Sequence, residues 1–204
     1  MLDGWARRQI DPALNRTARQ LVRLGATPNA ITVASCLIGL AAAAAVAAGN
    51  LYVALFLLLV SRIGDGLDGA VARITGSTDF GGFLDIVLDF VFYGAIPLGF
   101  VLLDPAANAV AGAVLIFSFY VNGASFLAYA VMAEKRGATT AERGSKSLFF
   151  TTGLAEATET ILFFAAFCLF PGWFPVLAYA FAAITFYTAL SRIVLAASAF
   201  RNKA

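Results

Sequence analysis

The sequence predicts an all-α integral membrane protein: a six-transmembrane-helix bundle with an N-terminal amphipathic juxtamembrane helix. Three observations predict it. The 204 residues are 61% hydrophobic and the mean hydropathy is +0.85, above the roughly half-apolar make-up of soluble domains. Apolar segments of spanning length alternate with turn signals. Basic residues cluster in alternate breaks between those segments. At roughly 20 residues per span, the length accommodates one domain, residues 1–204, with about six spans.

Residues 1–24 carry five arginines, with Leu2, Trp5, Ile10, Ala13, Leu14 and Leu21 at helical spacing. That pattern predicts a helix on the membrane surface, or alternatively a solvated helix packed on the bundle, rather than a cleaved signal peptide. Asp11-Pro12 reads as an N-cap followed by proline at N1, and Gly25 as the residue that ends the helix. Apolar segments follow near 30–48, 51–73, 80–103, 107–134, 148–170 and 174–199. The breaks are Gly49-Asn50, residues 74–79, Asp104-Pro105, the charged 135–147 and Pro171-Gly172. Backbone in hydrocarbon must bond internally, so each span is expected to be a helix.

Charge sets the orientation. Residues 1–24, Lys135, Arg136, Arg143 and Lys146, and the C-terminal Arg201 and Lys203 are basic, whereas the breaks near 49, 104 and 171 contain no lysine or arginine. With six spans the basic segments share one side. The positive-inside rule makes that side cytoplasmic, with both termini there (for a bacterial chain, in the inner membrane). The net charge of +2 gives no nucleic-acid signature. The chain has no histidine, which excludes histidine acid–base, nucleophile and metal chemistry. Cys36 and Cys168 lie in apolar runs without metal-site spacing and read as small buried residues. The small-residue run Ala41 to Ala45 predicts tight helix packing.

Two neighbouring spans carry acids that an apolar helix should not hold. Asp65 and Asp68 stand in Gly64-Asp65-Gly66-Leu67-Asp68-Gly69, and Asp85 and Asp89 follow in the next span. Spacings of three and four put each pair on one helical face. Counting from the cytoplasmic ends, they lie about 8 to 14 Å deep at 1.5 Å per residue. Antiparallel helices joined by a short loop would bring the four together. Close carboxylates in low dielectric must protonate or be neutralised. Hard divalent ions with oxygen ligands, Mg²⁺ or Mn²⁺, answer that need. The flanking glycines allow close approach, and Arg73 can face a phosphate. The alternative is a set of interhelical salt bridges such as Arg62 with Asp65, yet Arg62 and Arg73 are few partners for four acids.

The string Asp65-x2-Asp68-Gly69-x2-Ala72-Arg73-x7-Gly81-x3-Asp85-x3-Asp89 resembles the signature of the CDP-alcohol phosphatidyltransferase family. The segment Thr27-Pro28-Asn29-Ala30-Ile31-Thr32 resembles the family's Pro-Asn-x-x-Thr stretch, so the motifs span about residues 28–89. The resemblance implies that Asp65, Asp68, Asp85 and Asp89 surround two metal ions, with Asp89 as base on the acceptor hydroxyl. It implies that Asn29, Thr32, Asp68, Gly69, Ala72, Arg73 and Thr78 line the CDP moiety, that the site opens to the cytosol, and that the protein is a homodimer. The chemistry suits these residues. A metal pair can clamp a pyrophosphate and stabilise departing CMP, while a carboxylate activates the alcohol.

The donor expected from short chain length is CDP-diacylglycerol with a small soluble alcohol. The alternative is a CDP-linked headgroup with a lipid acceptor. Glu156 and Glu159 in the fifth span are candidates for an acceptor pocket, or for an interhelical pair with nearby threonines. Arg192 and Lys146 are candidates for binding an acceptor phosphate, as in glycerol 3-phosphate or inositol phosphate, with Asn122 and Ser125 able to add hydrogen bonds. Loop charges also suit lipid headgroups, and Arg192 near a helix end can snorkel. Two rivals are weaker. A prenyl-diphosphate transferase has no place for Gly69…Ala72-Arg73, and a cation transporter would commonly show a repeat that the two halves lack.

Overall fold

The computed structural model describes residues 3–135 and 157–200, with side chains from residue 10 onward. The described residues form helices and short connections, with no strand. The helices are α1 (Asp3–Arg23), α2 (Pro28–Ala47), α3 (Leu51–Thr75), α4 (Asp79–Leu103), α5 (Pro105–Lys135), α6 (Ala157–Leu169) and α7 (Phe174–Phe200), with a 3₁₀ turn at Pro171–Trp173. They follow the expected apolar segments closely. Residues 148–156 of the fifth segment, with Glu156 and Lys146, lie outside the described residues.

One boundary differs from expectation. Asp11 does not cap α1, because the helix begins at Asp3 and runs through Pro12. Pro12 is exposed, the position where solvent best replaces a lost intrahelical bond. The other end is as expected. Gly25 adopts φ +81°, and Gly25 and Ala26 N–H donate to the Val22 and Leu21 carbonyls at 3.0 Å each, a Schellman closure. Thr27 caps α2, accepting from Ala30 N at 3.3 Å, with Pro28 in the first turn. Thr78 caps α4, accepting from Gly81 N at 3.0 Å. Asp104 Oδ1 accepts from Ala107 N at 3.1 Å at the start of α5.

Among the described residues, four helical stretches are long and apolar enough to cross a membrane: Pro28–Ala47, Asp79–Leu103, Pro105–Lys135 and Pro171–Phe200. Helix α3 has 25 residues but holds Arg62, Asp65, Asp68 and Arg73. The described part of α6 has 13 residues and is apolar.

Helix α2 packs between α3 and α4, α5 packs on α4 and α7, and α1 lies along α3. Phenylalanine fills the core. Phe92, Phe100, Phe164, Phe167, Phe174 and Phe181 are fully buried, and Phe100 stacks on Phe174 with centroids 4.7 Å apart. Small residues admit the rings and the backbones. Gly39 faces Phe92, a Cβ at Gly99 would stand 2.7 Å from the Ala43 carbonyl oxygen, and Ala42 and Ala43 are buried. Both cysteines are buried and unpaired. Large apolar side chains such as Phe56, Phe117 and Leu162 point outward, a surface that suits lipid rather than water.

Candidate active site

The C-terminal half of α3 and the N-terminal half of α4 are joined by Gly76, Ser77 and Thr78. Gly76 takes φ +98°, a conformation that a side chain would oppose. This tight reversal sets the two acidic faces side by side. Asp65, Asp68 and Asp85 each present a carboxylate oxygen, and these oxygens lie within 4.8 Å of one another. Asp68 is buried at 6% exposure, and its Oδ2 has no hydrogen-bond partner. Oxygens on opposite sides of one octahedral Mg²⁺ or Mn²⁺ stand about 4.2 Å apart, at about 2.1 Å each from the ion. Small side-chain rotations therefore fit the trio to such an ion, and an orphaned buried carboxylate oxygen is what a cation would satisfy.

The fourth acid is held differently. Asp89 Oδ1 accepts from Arg62 Nη1 at 2.9 Å, and the same nitrogen stands 3.4 Å from Asp65 Oδ1. The salt bridge weighed from sequence thus exists beside the carboxylate cluster rather than instead of it. Among the described residues no basic side chain pairs with Asp68 or Asp85.

Beside the trio opens a cavity of about 240 Å³. Asn29, Thr32, Asp68, Gly69, Ala72 and Thr78 line it, together with Asp85. Arg73 is exposed and stands at the rim, its Nη1 3.7 Å from where a Gly69 Cβ would lie. Pro28 of the Pro-Asn-x-x-Thr stretch lines the cavity too, and so do Thr27, Ser77 and Gly82, which no motif spacing marked. Their signal was the two capping threonines. The N-termini of α2 and α4 both open here, and free N–H groups at helix starts favour anions. Gly81 keeps the cavity open, since a Cβ there would meet Asn29 Oδ1 at 3.1 Å.

A family model, CDP-alcohol phosphatidyltransferase, matches residues 25–199. The chain belongs to that family. It is a membrane transferase of phospholipid synthesis, and the matched range contains the residues that build this site. The chain is 44% identical to the inner membrane protein YnjF of Escherichia coli (strain K12) over 193 residues, covering 95% of this chain and 94% of that one. With the four apolar stretches, that relative marks a multi-pass integral membrane protein. Archaetidylinositol phosphate synthase of Pyrococcus horikoshii is 32% identical over 162 residues, 78% of this chain and 86% of the other. In fold, this phosphatidyltransferase resembles the Mycobacterium tuberculosis phosphatidylinositol phosphate synthase (PgsA1). With CDP-DAG bound, that structure gives a TM-score of 0.70 at 22% identity, covering 89% of this chain and 92% of that one. The PgsA1 complex with manganese and citrate gives 0.71 at 21% identity, covering 89% and 87%.

A second cavity of about 190 Å³ lies between α4, α5, α6 and α7. Arg192, Asn122, Tyr93 and Thr160 line it, with Phe90 and Phe126 among its aromatic walls. Of its lining residues, Phe90 follows Asp89 in sequence and Tyr93 lies one helical turn further along α4. Arg192 does not snorkel. Its Nη1 donates to Asn122 O at 3.0 Å, Asn122 Oδ1 at 2.9 Å and Ser125 Oγ at 2.6 Å. Glu159 lies in the first turn of α6, and its Oε2 is buried with no hydrogen-bond partner.

Proposed function

We propose that this chain is a six-span phosphatidyltransferase that moves the phosphatidyl group of CDP-diacylglycerol to the hydroxyl of a small alcohol and releases CMP. The observation that carries this reading is the contiguity of the Asp65–Asp68–Asp85 trio with the cavity between the starts of α2 and α4. The cavity takes the CDP moiety, through Asn29, Thr32, Gly69, Ala72 and Thr78, with Arg73 at its mouth on a phosphate. The trio, with Asp89 adjoining, holds two divalent ions, Mg²⁺ or Mn²⁺. Bound there, they would neutralise the pyrophosphate and the departing CMP. The PgsA1 structures, one with CDP-DAG and one with manganese, support donor and metal alike.

Asp89 takes the proton of the acceptor hydroxyl while the alcohol oxygen bonds to the phosphorus that carries the diacylglycerol. The bond from that phosphorus to the CMP oxygen breaks, and CMP leaves. Such a base contributes typically 10²–10⁴-fold. The second cavity receives the acceptor. Arg192 suits an acceptor phosphate, and Glu159 suits acceptor hydroxyls. The name of the Pyrococcus relative supports a phosphorylated polyol of the inositol phosphate kind, with glycerol 3-phosphate the smaller option. Lys146 and Glu156, outside the described residues, are proposed from the sequence as further acceptor contacts.

The whole chain forms one domain and works as a homodimer, with α1 on the inner leaflet, both termini cytoplasmic and the site open to the cytosol. CMP release measures the proposal. Purified protein is given CDP-diacylglycerol, Mn²⁺ or Mg²⁺, and in turn inositol phosphate, glycerol 3-phosphate, serine or choline. Turnover with one phosphorylated acceptor, abolished by chelator, is expected. No CMP from any pairing would end the reading.

A further inference from the structure

Arg62 is the one cation in the acidic network of the described residues, and it is fixed from several sides. Its side chain is 8% exposed, and it lies about 16 Å along α3 from Arg73 at 1.5 Å per residue. The guanidinium carbon stands 3.7 Å over the centre of the Phe92 ring. Nη2 donates to Ser61 Oγ at 3.2 Å, and Ser61 Oγ donates to the Ser35 carbonyl at 2.7 Å. The chain of contacts thus runs from α2 through α3 to Asp89 on α4. An arginine held this way cannot reach the membrane surface, and an intramembrane cation without a surface role marks function.

Two geometric facts define what it does. Arg62 occupies Oδ1 of Asp89 at 2.9 Å, so Oδ2 is the oxygen left for another partner. Asp65 belongs both to the Arg62 bridge and to the carboxylate trio. A cation drawn to the trio therefore meets the Arg62 charge across one shared carboxylate.

We propose that Arg62 is a positioning residue and internal counter-cation: it directs Asp89 Oδ2 to the acceptor hydroxyl, and it weakens divalent-cation binding at the trio until a nucleotide diphosphate arrives with its own negative charge. Donor and metal then bind cooperatively, each raising the other's affinity by the same factor. This rests on the metal and donor sites proposed above.

Mn²⁺ titration of the detergent-solubilised full chain, followed by electron paramagnetic resonance with and without CDP, tests it. Wild-type protein should bind Mn²⁺ weakly alone and more tightly with CDP. Arg62→Gln removes the charge and keeps a donor; it should bind Mn²⁺ alone roughly tenfold tighter, the scale of one neighbouring charge, and gain less from CDP. Its kcat should fall, and its KM for donor in the presence of Mn²⁺ should rise by the coupling it has lost. Arg62→Lys should return Mn²⁺ affinity toward wild type without restoring kcat, because ammonium lacks the planar fork. If Arg62→Gln folds only when Mn²⁺ is present, the counter-cation role is supported directly. Unchanged or weaker Mn²⁺ affinity in Arg62→Gln, with CDP coupling intact, overturns this inference alone. Wild-type protein that binds no Mn²⁺ overturns it together with the metal site.

Discussion

Gly64 of α3 lies so close to Ser35 of α2 that a methyl group on the glycine would collide with the serine Oγ and stand 3.2 Å from its Cβ. The contact sits one residue before Asp65, so it sets the distance between α2, whose start lines the first cavity, and the acidic face of α3. Gly64→Ala should destabilise the protein by about 1–3 kcal/mol, the usual cost of overpacking. It should also lower activity by spreading the cavity. The double change Gly64→Ala with Ser35→Gly should recover part of both losses. Gly66→Ala makes a control two residues away. There the added methyl meets the flexible tip of Leu14 at 3.1 Å, and a smaller loss is expected. Thermal unfolding of the four proteins in detergent checks the order; equal losses at Gly64 and Gly66 would contradict it.

Gly81 guards the other wall of the cavity. A Cβ there would stand 3.0 Å from Thr78 Oγ1 and 3.1 Å from Asn29 Oδ1, and both side chains line the cavity proposed for the donor. Gly81→Ala should raise the KM for CDP-diacylglycerol about tenfold, equivalent to about 1.4 kcal/mol of lost binding. The KM for the acceptor should stay near its normal value. Steady-state kinetics with each substrate varied separately decides, and a change confined to the acceptor would refute the assignment of this cavity.

The aspartates should separate into two behaviours. Asp68→Asn and Asp85→Asn remove charge from the trio and should abolish both turnover and the stabilisation that Mn²⁺ gives. Asp89→Asn touches the group bound to Arg62. It should cost roughly 10²–10⁴-fold in kcat, the range for a general base, while CDP binding survives. Isothermal titration with CDP alongside turnover tells the two apart. Wild-type rates in Asp89→Asn would remove it from the chemistry.

Much of this site was legible in the sequence because helices convert spacing into position. The intervals between Asp65 and Asp68 and between Asp85 and Asp89 fix shared faces, and the short break before Thr78 brings the two faces together. Periodicity on one helix does not specify a partner on another. The Arg62–Asp89 contact spans 27 residues of sequence, and no spacing rule joins those two positions. Spacing alone therefore grouped Asp89 with the other acids, the resemblance gave it the role of base, and neither pointed to Arg62 as its partner. Thr27 and Ser77 line the cavity through where helices begin, and caps signal a boundary without showing what faces it. Pro12 read as a helix start because proline is common there. It lies instead within a longer helix whose Leu14 and Ala18 are held against α3 beside Ala70 and Val71, tertiary packing that local preference does not contain.

Helix α1 divides its faces sharply. Leu14, Ala18, Leu21 and Val22 pack in the cluster on α3, while Arg16, Arg19 and Arg23 are exposed on the opposite side of the wheel at 100° per residue. Each basic residue near an anionic leaflet is worth about 1 kcal/mol. Replacing all three with glutamine should lower activity in vesicles rich in anionic lipid and leave it unchanged in neutral ones. Salt should narrow the difference, because the attraction is screened. An equal loss in both kinds of vesicle would show instead that these arginines serve the fold.

Arg192 is a second cation inside the bundle among the described residues, and its three hydrogen bonds to Asn122 and Ser125 admit two roles. As a tie between α5 and α7 it would matter to stability alone. As a preset phosphate contact in the second cavity it would matter to one substrate. A hydrogen bond to a charged group is worth about 1.5–3 kcal/mol, so Arg192→Gln should raise the KM for a phosphorylated acceptor roughly ten- to hundredfold. The donor KM should stay put, and Arg192→Lys should recover part of the loss. The same substitution tested with the unphosphorylated alcohol should have little effect, because the lost partner is the phosphate. If melting temperature falls and both acceptors suffer alike, Arg192 is the tie between helices and the acceptor phosphate is bound elsewhere.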